Sequence, residues 1–231
     1  MKKLRYSVFA AALLGGSPLA AQEDFDQRVM EAILNNPEVV LLAIQKLETE
    51  RERAEAEVER EQIDQVRNEL FEDNPDIRLV EFFDYRCGYC AQSASHMQTL
   101  PHDMTKGVRL IEFPILGQES NEIAKVSIAV RNVEGDVAYQ RFHYAVFDAA
   151  GRVGDAASAL RLVENLGLDA DAVATESQSN NVAAEILRNQ RLASTLGIRG
   201  TPTFVGRDQI YDGLLNPEEL FEILNTEEDD S

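Results

Sequence analysis

Cys87 and Cys90 are the only cysteines among 231 residues, and just Gly88 and Tyr89 separate them. Two thiols at this spacing can form, break and pass on a disulfide, so the chemistry they suggest is dithiol–disulfide exchange. The nucleophile in that reaction is a thiolate. The apolar run Leu79-Val80-Glu81-Phe82-Phe83 before the pair reads as a buried strand, and Ala91 to Met97 after it reads as a helix. Cys87 then falls at or just before the helix start, where unpaired backbone N–H groups and the helix dipole favour an anion. Cys87 is therefore expected as the attacking thiol, with a pKa below that of free cysteine. Cys90, one turn further in, is expected as the resolving thiol. Gly88 and Tyr89 carry no charge and stabilise a thiolate less than a histidine at position 89 would, which makes the disulfide less oxidising.

Two other uses of the pair compete with exchange. As a structural bridge it closes a tiny loop and removes little entropy from the unfolded chain. As a metal site it lacks ligands: structural zinc takes four, no second cysteine pair exists, and only His96 stands close in sequence. His102 and His143 have no ligand spacing. A dedicated metal site is not expected, nor is a cofactor, although copper(I) handling by the reduced thiols stays open as an alternative function.

Three further residues join the candidate site. Glu81 interrupts its apolar strand six residues before Cys87. It is either a buried proton carrier for Cys90 or an outward-facing strand residue, and its spacing leaves both open. Thr201-Pro202 precedes Thr203-Phe204-Val205. It is either a plain turn or a cis peptide packed against the cysteines, whose Thr201 backbone would pair with an extended substrate. Tyr89 is counted with Thr201 and Pro202 as a substrate contact.

These residues need elements to hold them. Lys2, Lys3 and Arg5, the apolar stretch Val8 to Leu14 and the small residues Ala20 and Ala21 form a secretory signal peptide over residues 1–21. The expected location is the periplasm. The formal charge of −19 grows more negative once those three cations are removed, which argues against nucleic acid and anionic membrane surfaces as partners.

Residues 22–72 read as a helical extension. Phe25, Val29, Ile33 and Leu34 lie at helical spacing, and Asn36-Pro37-Glu38 is a helix start with Asn36 as the cap. Val39 to Leu47 give a broad apolar face, followed by a highly charged stretch to Arg67 with i,i+3 pairs such as Glu57–Arg60. The apolar face needs a partner, and self-association into a homo-oligomer through residues 23–71 is expected.

A domain over residues 73–226 follows, with an acidic tail at 227–231. Its order is strand Arg78 to Phe83, helix Gly88 to Met104 and strand Val108 to Phe113. A helical insertion over about 118–196 divides at Gly135-Asp136, Gly151 to Asp155 and Gly167-Leu168-Asp169. Strands Thr203 to Val205 and Gln209 to Tyr211 come next, then a helix capped by Asn216. The first two strands should be parallel through a right-handed crossover, and the last two antiparallel. The expected fold is α/β: a thioredoxin fold with an inserted helical domain and an N-terminal helical extension.

Val80 to Cys90, together with Phe113-Pro114-Ile115-Leu116-Gly117 and Gly200 to Phe204, resembles the DsbA-like thiol-disulfide oxidoreductases of bacterial envelopes. The likeness is greatest to the suppressor-of-copper-sensitivity C branch. It implies Cys87 as nucleophile, Cys90 as resolving cysteine, Glu81 as the acid beneath the site and Thr201-Pro202 as the cis-proline loop. It also implies cysteine-containing protein substrates and a membrane redox partner. Gly-Tyr replaces the Pro-His of the prototype oxidase, and the extension is one that some relatives use to trimerise and act as isomerases. Isomerase or reductase activity is therefore favoured over oxidase. Of the family's first strand, Glu69-Leu70-Phe71 is the expected trace.

Overall fold

The computed structural model describes residues 18–71 and 76–225; most of the leader, the break before the domain and the acidic tail lie outside them. The chain divides into two compact units, one up to Ala54 and one from Glu55. The first unit holds helix α1 (Pro18–Asn35) and the opening turns of α2 (Glu38–Phe71). Its apolar residues, Phe25, Met30, Leu34, Leu41, Leu42 and Leu47 among them, are exposed.

Asn36 does not act as the expected cap of α2. Its side-chain amide turns back and donates to the Ala32 carbonyl at 2.8 Å. The same Asn-Pro-Glu tripeptide at 216 does form a cap: Asn216 Oδ1 accepts from the Glu219 N–H at 3.0 Å, and Glu219 Oε2 accepts from the Asn216 N–H at 2.7 Å. The reciprocal bond of this capping box needs a polar acceptor side chain three residues on, which Glu219 supplies and Val39 lacks.

The second unit is built on a four-stranded sheet, in the order β2-β1-β3-β4. The strands are β1 (Leu79–Phe83), β2 (Val108–Glu112), β3 (Thr203–Val205) and β4 (Ile210–Asp212). β1 pairs parallel with β2 and antiparallel with β3, and β3 pairs antiparallel with β4. Both faces of the central β1 are covered, so all five of its residues are buried. Val80 and Phe82 pack on one face with Ile63, Val66, Leu70, Phe71 and Leu192. Leu79 packs on the other with Met97, Phe204, Leu220 and Leu224.

Glu69-Leu70-Phe71 is not a strand trace but the last turn of α2. Ile63, Val66, Leu70 and Phe71 lie along one helical face and are buried, so their spacing is that of a core-facing helix. Arg109 reinforces this end by donating to the Glu69 and Leu70 carbonyls at 3.2 and 2.9 Å, where helical carbonyls lack partners. Residues 55–71 of the sequence-defined extension thus help to build the domain's own core.

The helix after the cysteines is shorter than expected. α3 (Gly88–Thr99) ends at Leu100, which takes the extended backbone that a following proline imposes, and a separate turn, α4 (His102–Thr105), comes after Pro101. The insertion comprises α5 (Gln118–Glu134), α6 (Asp136–Asp148), α7 (Ala156–Asn165), α8 (Ala170–Ser177) and α9 (Asn180–Thr195). Asp155, Asp169 and Ser179 cap α7, α8 and α9 through side-chain oxygens. α10 (Pro217–Asn225) closes the unit.

Candidate active site

β1 delivers the chain to the site, and Asp84 shapes the turn that follows. Its carboxylate accepts the Arg86 N–H at 2.8 Å through one oxygen. The other oxygen accepts the Ile115 and Leu116 N–H groups at 2.8 and 2.9 Å. The buried Asp84 thereby ties the approach to the cysteines to the loop after β2. Its carbonyl also accepts the Cys87 N–H at 3.0 Å, which bends the chain into α3.

Cys87 is the N-cap residue of α3 and is half-buried. Its thiol donates to the Thr201 carbonyl at 3.1 Å. The Thr201-Pro202 peptide is cis, the sharper of the two readings of that segment, and Pro202 is buried. Cys90 is 1% exposed. Burial pushes its thiol far above the ordinary cysteine range; the Asp84 backbone tempers this, and the negative charges of Glu81 and Cys87 add to it. Cys87 meets solvent, so an incoming disulfide reaches it first.

Glu81 does not face outward. It is 2% exposed and lies on the same side of β1 as Leu79 and Phe83. Burial pushes its carboxyl up to about 7, with a small opposing effect from Ser93, whose hydroxyl makes no full hydrogen bond. A carboxyl poised there can exchange a proton at neutral pH. Tyr89 is 62% exposed at the mouth of the site. The structure thus gathers Cys87, Cys90, Glu81, Thr201 and Pro202 around one helix start. The histidines lie elsewhere: His96 is bonded through Nδ1 to the Leu215 carbonyl at 2.9 Å, His102 starts α4, and His143 is buried in the insertion.

Two features have little sequence signal. Asp84 is one, although an aspartate directly after a strand is a turn former. The other is a buried polar chain beneath the site. Tyr85 Oη lies 2.6 Å from Ser127 Oγ, which donates to Glu112 Oε1 at 2.9 Å. Tyr85 Oη also lies 3.3 Å from His143 Nδ1. Burial lowers the His143 pKa to about 3, so its ring is neutral. Burial likewise raises Glu112, with Arg131 opposing. These residues come from four elements far apart in sequence, and no local motif links them.

Residues 78–225 match the DSBA-like thioredoxin domain. The chain belongs to that family. It is 32% identical to a thioredoxin-like oxidoreductase from Silicibacter pomeroyi DSS-3, with a TM-score of 0.60 over 69% of this chain and 95% of that one. It is 27% identical to the thiol-disulfide exchange protein alpha-DsbA2 from Wolbachia pipientis, with a TM-score of 0.66 over 74% and 97%. A linker-deletion variant of Proteus mirabilis ScsC shares the fold at 21% identity, with a TM-score of 0.62 over 93% and 96%. No curated protein matches the chain.

Proposed function

We propose that this protein exchanges disulfides in other proteins, with Cys87 as attacking and Cys90 as resolving sulfur. The observation that carries the reading is the asymmetry of the pair: one thiol is accessible at a helix N-cap, 3.1 Å from a backbone carbonyl, and the other is buried beside an acid. The Cys87 thiolate attacks one sulfur of a client disulfide. A Cys87–client disulfide forms, and the other client sulfur leaves as a thiolate. Cys90 gives its proton to the Glu81 carboxylate and attacks Cys87 Sγ. The Cys87–Cys90 disulfide forms, and the second client sulfur leaves and is protonated. The client is reduced by two electrons and the enzyme oxidised. The reverse sequence oxidises a client dithiol, and attack on the Cys87–client disulfide by a different client thiol before Cys90 acts forms a new client disulfide, expels the Cys87 thiolate and gives isomerisation.

Isomerisation or reduction is favoured over oxidation. Gly88 and Tyr89 add no charge that would stabilise a thiolate and raise the oxidising power of the disulfide. The leader pattern in residues 1–21 supports export to the periplasm, where a membrane redox partner would reset the pair. Residues 1–17 of that leader lie outside the described ones, and no described helix is long and apolar enough to cross a membrane. The exposed apolar faces of α1 and early α2 support assembly of several copies. For the alternative, a copper(I) carrier, His96 is already committed to Leu215.

The test is reduction of insulin and refolding of scrambled ribonuclease. The reading expects both from the wild-type chain and neither from a folded Cys87→Ala variant. Unchanged activity in that variant would refute the assignment.

A further inference from the structure

β2 is an edge strand: β1 pairs with one side of it, and among the described residues no strand pairs with the other. The Phe113 N–H donates to the Phe83 carbonyl at 2.8 Å, and the Gly107 carbonyl accepts from Arg78 and Leu79. By alternation, the backbone groups of Val108, Leu110 and Glu112 point to the open side. Asn189 meets the Glu112 carbonyl there at 3.0 Å. Val108 and Leu110 have no such cover among the described residues, and both are only half-buried. An open strand edge is a template for pairing with another chain.

A cavity of about 400 Å³ lies along that side. Val108 and Leu110 line it from the strand, and Arg109, Arg131 and Arg188 reach it from β2, α5 and α9. Two carboxylates share the lining, Asp136 and Glu185. Glu185 serves both Arg131 and Arg188, the latter at 3.8 Å. Glu112 lies buried behind Arg131, and burial raises its carboxyl toward the neutral form. Three guanidiniums against two lining carboxylates make the cavity positive, in a chain of formal charge −19. The half-exposed Arg188 is open to a further anion.

The segment after α10 starts at the foot of this edge. The Leu224 carbonyl accepts from Arg78 Nη1 at 2.7 Å. The Leu224 side chain lies against Gly107, the residue before β2: a Cβ there would stand 3.8 Å from Leu224 Cδ2. Residues 226–231 carry four carboxylates, those of Glu227, Glu228, Asp229 and Asp230. Six extended residues reach about 20 Å, and Leu110 lies only about 10 Å along the strand from Gly107. We propose that residues 226–231 dock along the open side of β2, with their carboxylates on the arginines of the cavity. The contact is intramolecular, so its effective concentration is high and exposed ion pairs, weak singly, can hold it. Docked there, the segment shields an edge that an unfolded client would otherwise pair with. The site stands apart from exchange: Val108 pairs with Leu79, at the end of β1 opposite the cysteines.

The experiment follows hydrogen exchange of the Leu110 N–H in the full chain, by mass spectrometry on fragments that isolate it. One variant neutralises the segment with Glu227→Gln, Glu228→Gln, Asp229→Asn and Asp230→Asn together. A second carries Arg188→Gln, and a third combines all five changes. At low salt the Leu110 N–H should exchange about tenfold faster in the neutralised chain than in wild type. In 1 M salt, which screens charges beyond about 3 Å, the two should converge. Arg188→Gln should speed exchange when the segment is acidic and add nothing when it is neutral. Equal exchange in the wild-type and neutralised chains overturns the proposal. So does an Arg188→Gln effect of the same size in both backgrounds, which would mark a purely structural arginine. An isotope-labelled neutralised chain mixed with excess wild type should stay fast. Protection regained in that mixture would show the segment arriving from a second copy and would overturn docking within one chain.

Discussion

The Cys87 thiol donates to the carbonyl of Thr201, a residue 114 positions away, across 3.1 Å. The acceptor is backbone, so the Thr201 side chain is not needed to place the attacking sulfur. That side chain instead favours the Cys90 thiolate. Thr201→Val should therefore leave the first attack on glutathione disulfide near the wild-type rate and slow the second step. Acid quenching and mass spectrometry separate the two steps by the lifetime of the glutathione adduct.

Glu81 predicts a pH dependence of stability. Its carboxyl is pushed up to about 7 from 4.5 by burial. Below about 4.5 the group is protonated in both folded and unfolded chains and costs nothing. Between about 4.5 and 7 the folded chain binds the extra proton, so stability is lost as pH rises. The full loss above about 7 is about 3 kcal/mol. Glu81→Gln should be more stable than wild type by about that amount at pH 8, with the difference vanishing below pH 4.5. Urea unfolding across this range checks it. The same variant lacks the proton acceptor for Cys90, so resolution should slow on the order of a hundredfold while the first attack is spared.

Asp84 holds three backbone N–H groups from two loops. Asp84→Ala leaves them without their charged acceptor and unties the two loops. A loss of about 3 kcal/mol is expected, with a smaller loss for Asp84→Asn, which keeps one acceptor oxygen. Chemical denaturation of both variants checks the order.

The boundary of the domain yields another prediction. Ile63, Val66, Leu70 and Phe71 are buried with Val80, Phe82 and Val205. A chain beginning at Glu55 keeps these contacts and should be folded and monomeric by light scattering, whereas the full chain should form an oligomer. A chain beginning at Asn74 loses them, each apolar side chain being worth about 2 kcal/mol, and should unfold far more readily. Equal masses for the full chain and the chain from Glu55 would contradict the self-association reading.

Much of this was readable from residue order. The strands around the cysteines, the helix divisions at 135 and 167 and the Thr201-Pro202 segment carry strong local signals: apolar runs, glycines at positive φ, and a proline between a glycine and a strand. The end of α2 was misread because a resemblance supplied a strand where the spacing of Ile63, Val66, Leu70 and Phe71 already indicated a helix. Asn36 does not cap because it also ends α1, and its amide turns back to donate to the Ala32 carbonyl. Glu81 could not be oriented by alternation, because a strand covered on both faces has no outward side. The Tyr85–Ser127–Glu112 chain and the cavity along β2 arise only when distant elements pack, and no window of sequence contains them.

The central claim is that Cys87 attacks and Cys90 resolves. Its most direct test is the reaction of Cys90→Ala and Cys87→Ala, each fully reduced, with glutathione disulfide, followed by intact mass and peptide mapping. Cys90→Ala should accumulate one stable glutathione adduct, mapped to Cys87, while Cys87→Ala stays unmodified over the same time. A comparable rate of adduct formation on Cys90 in the Cys87→Ala protein would contradict the account.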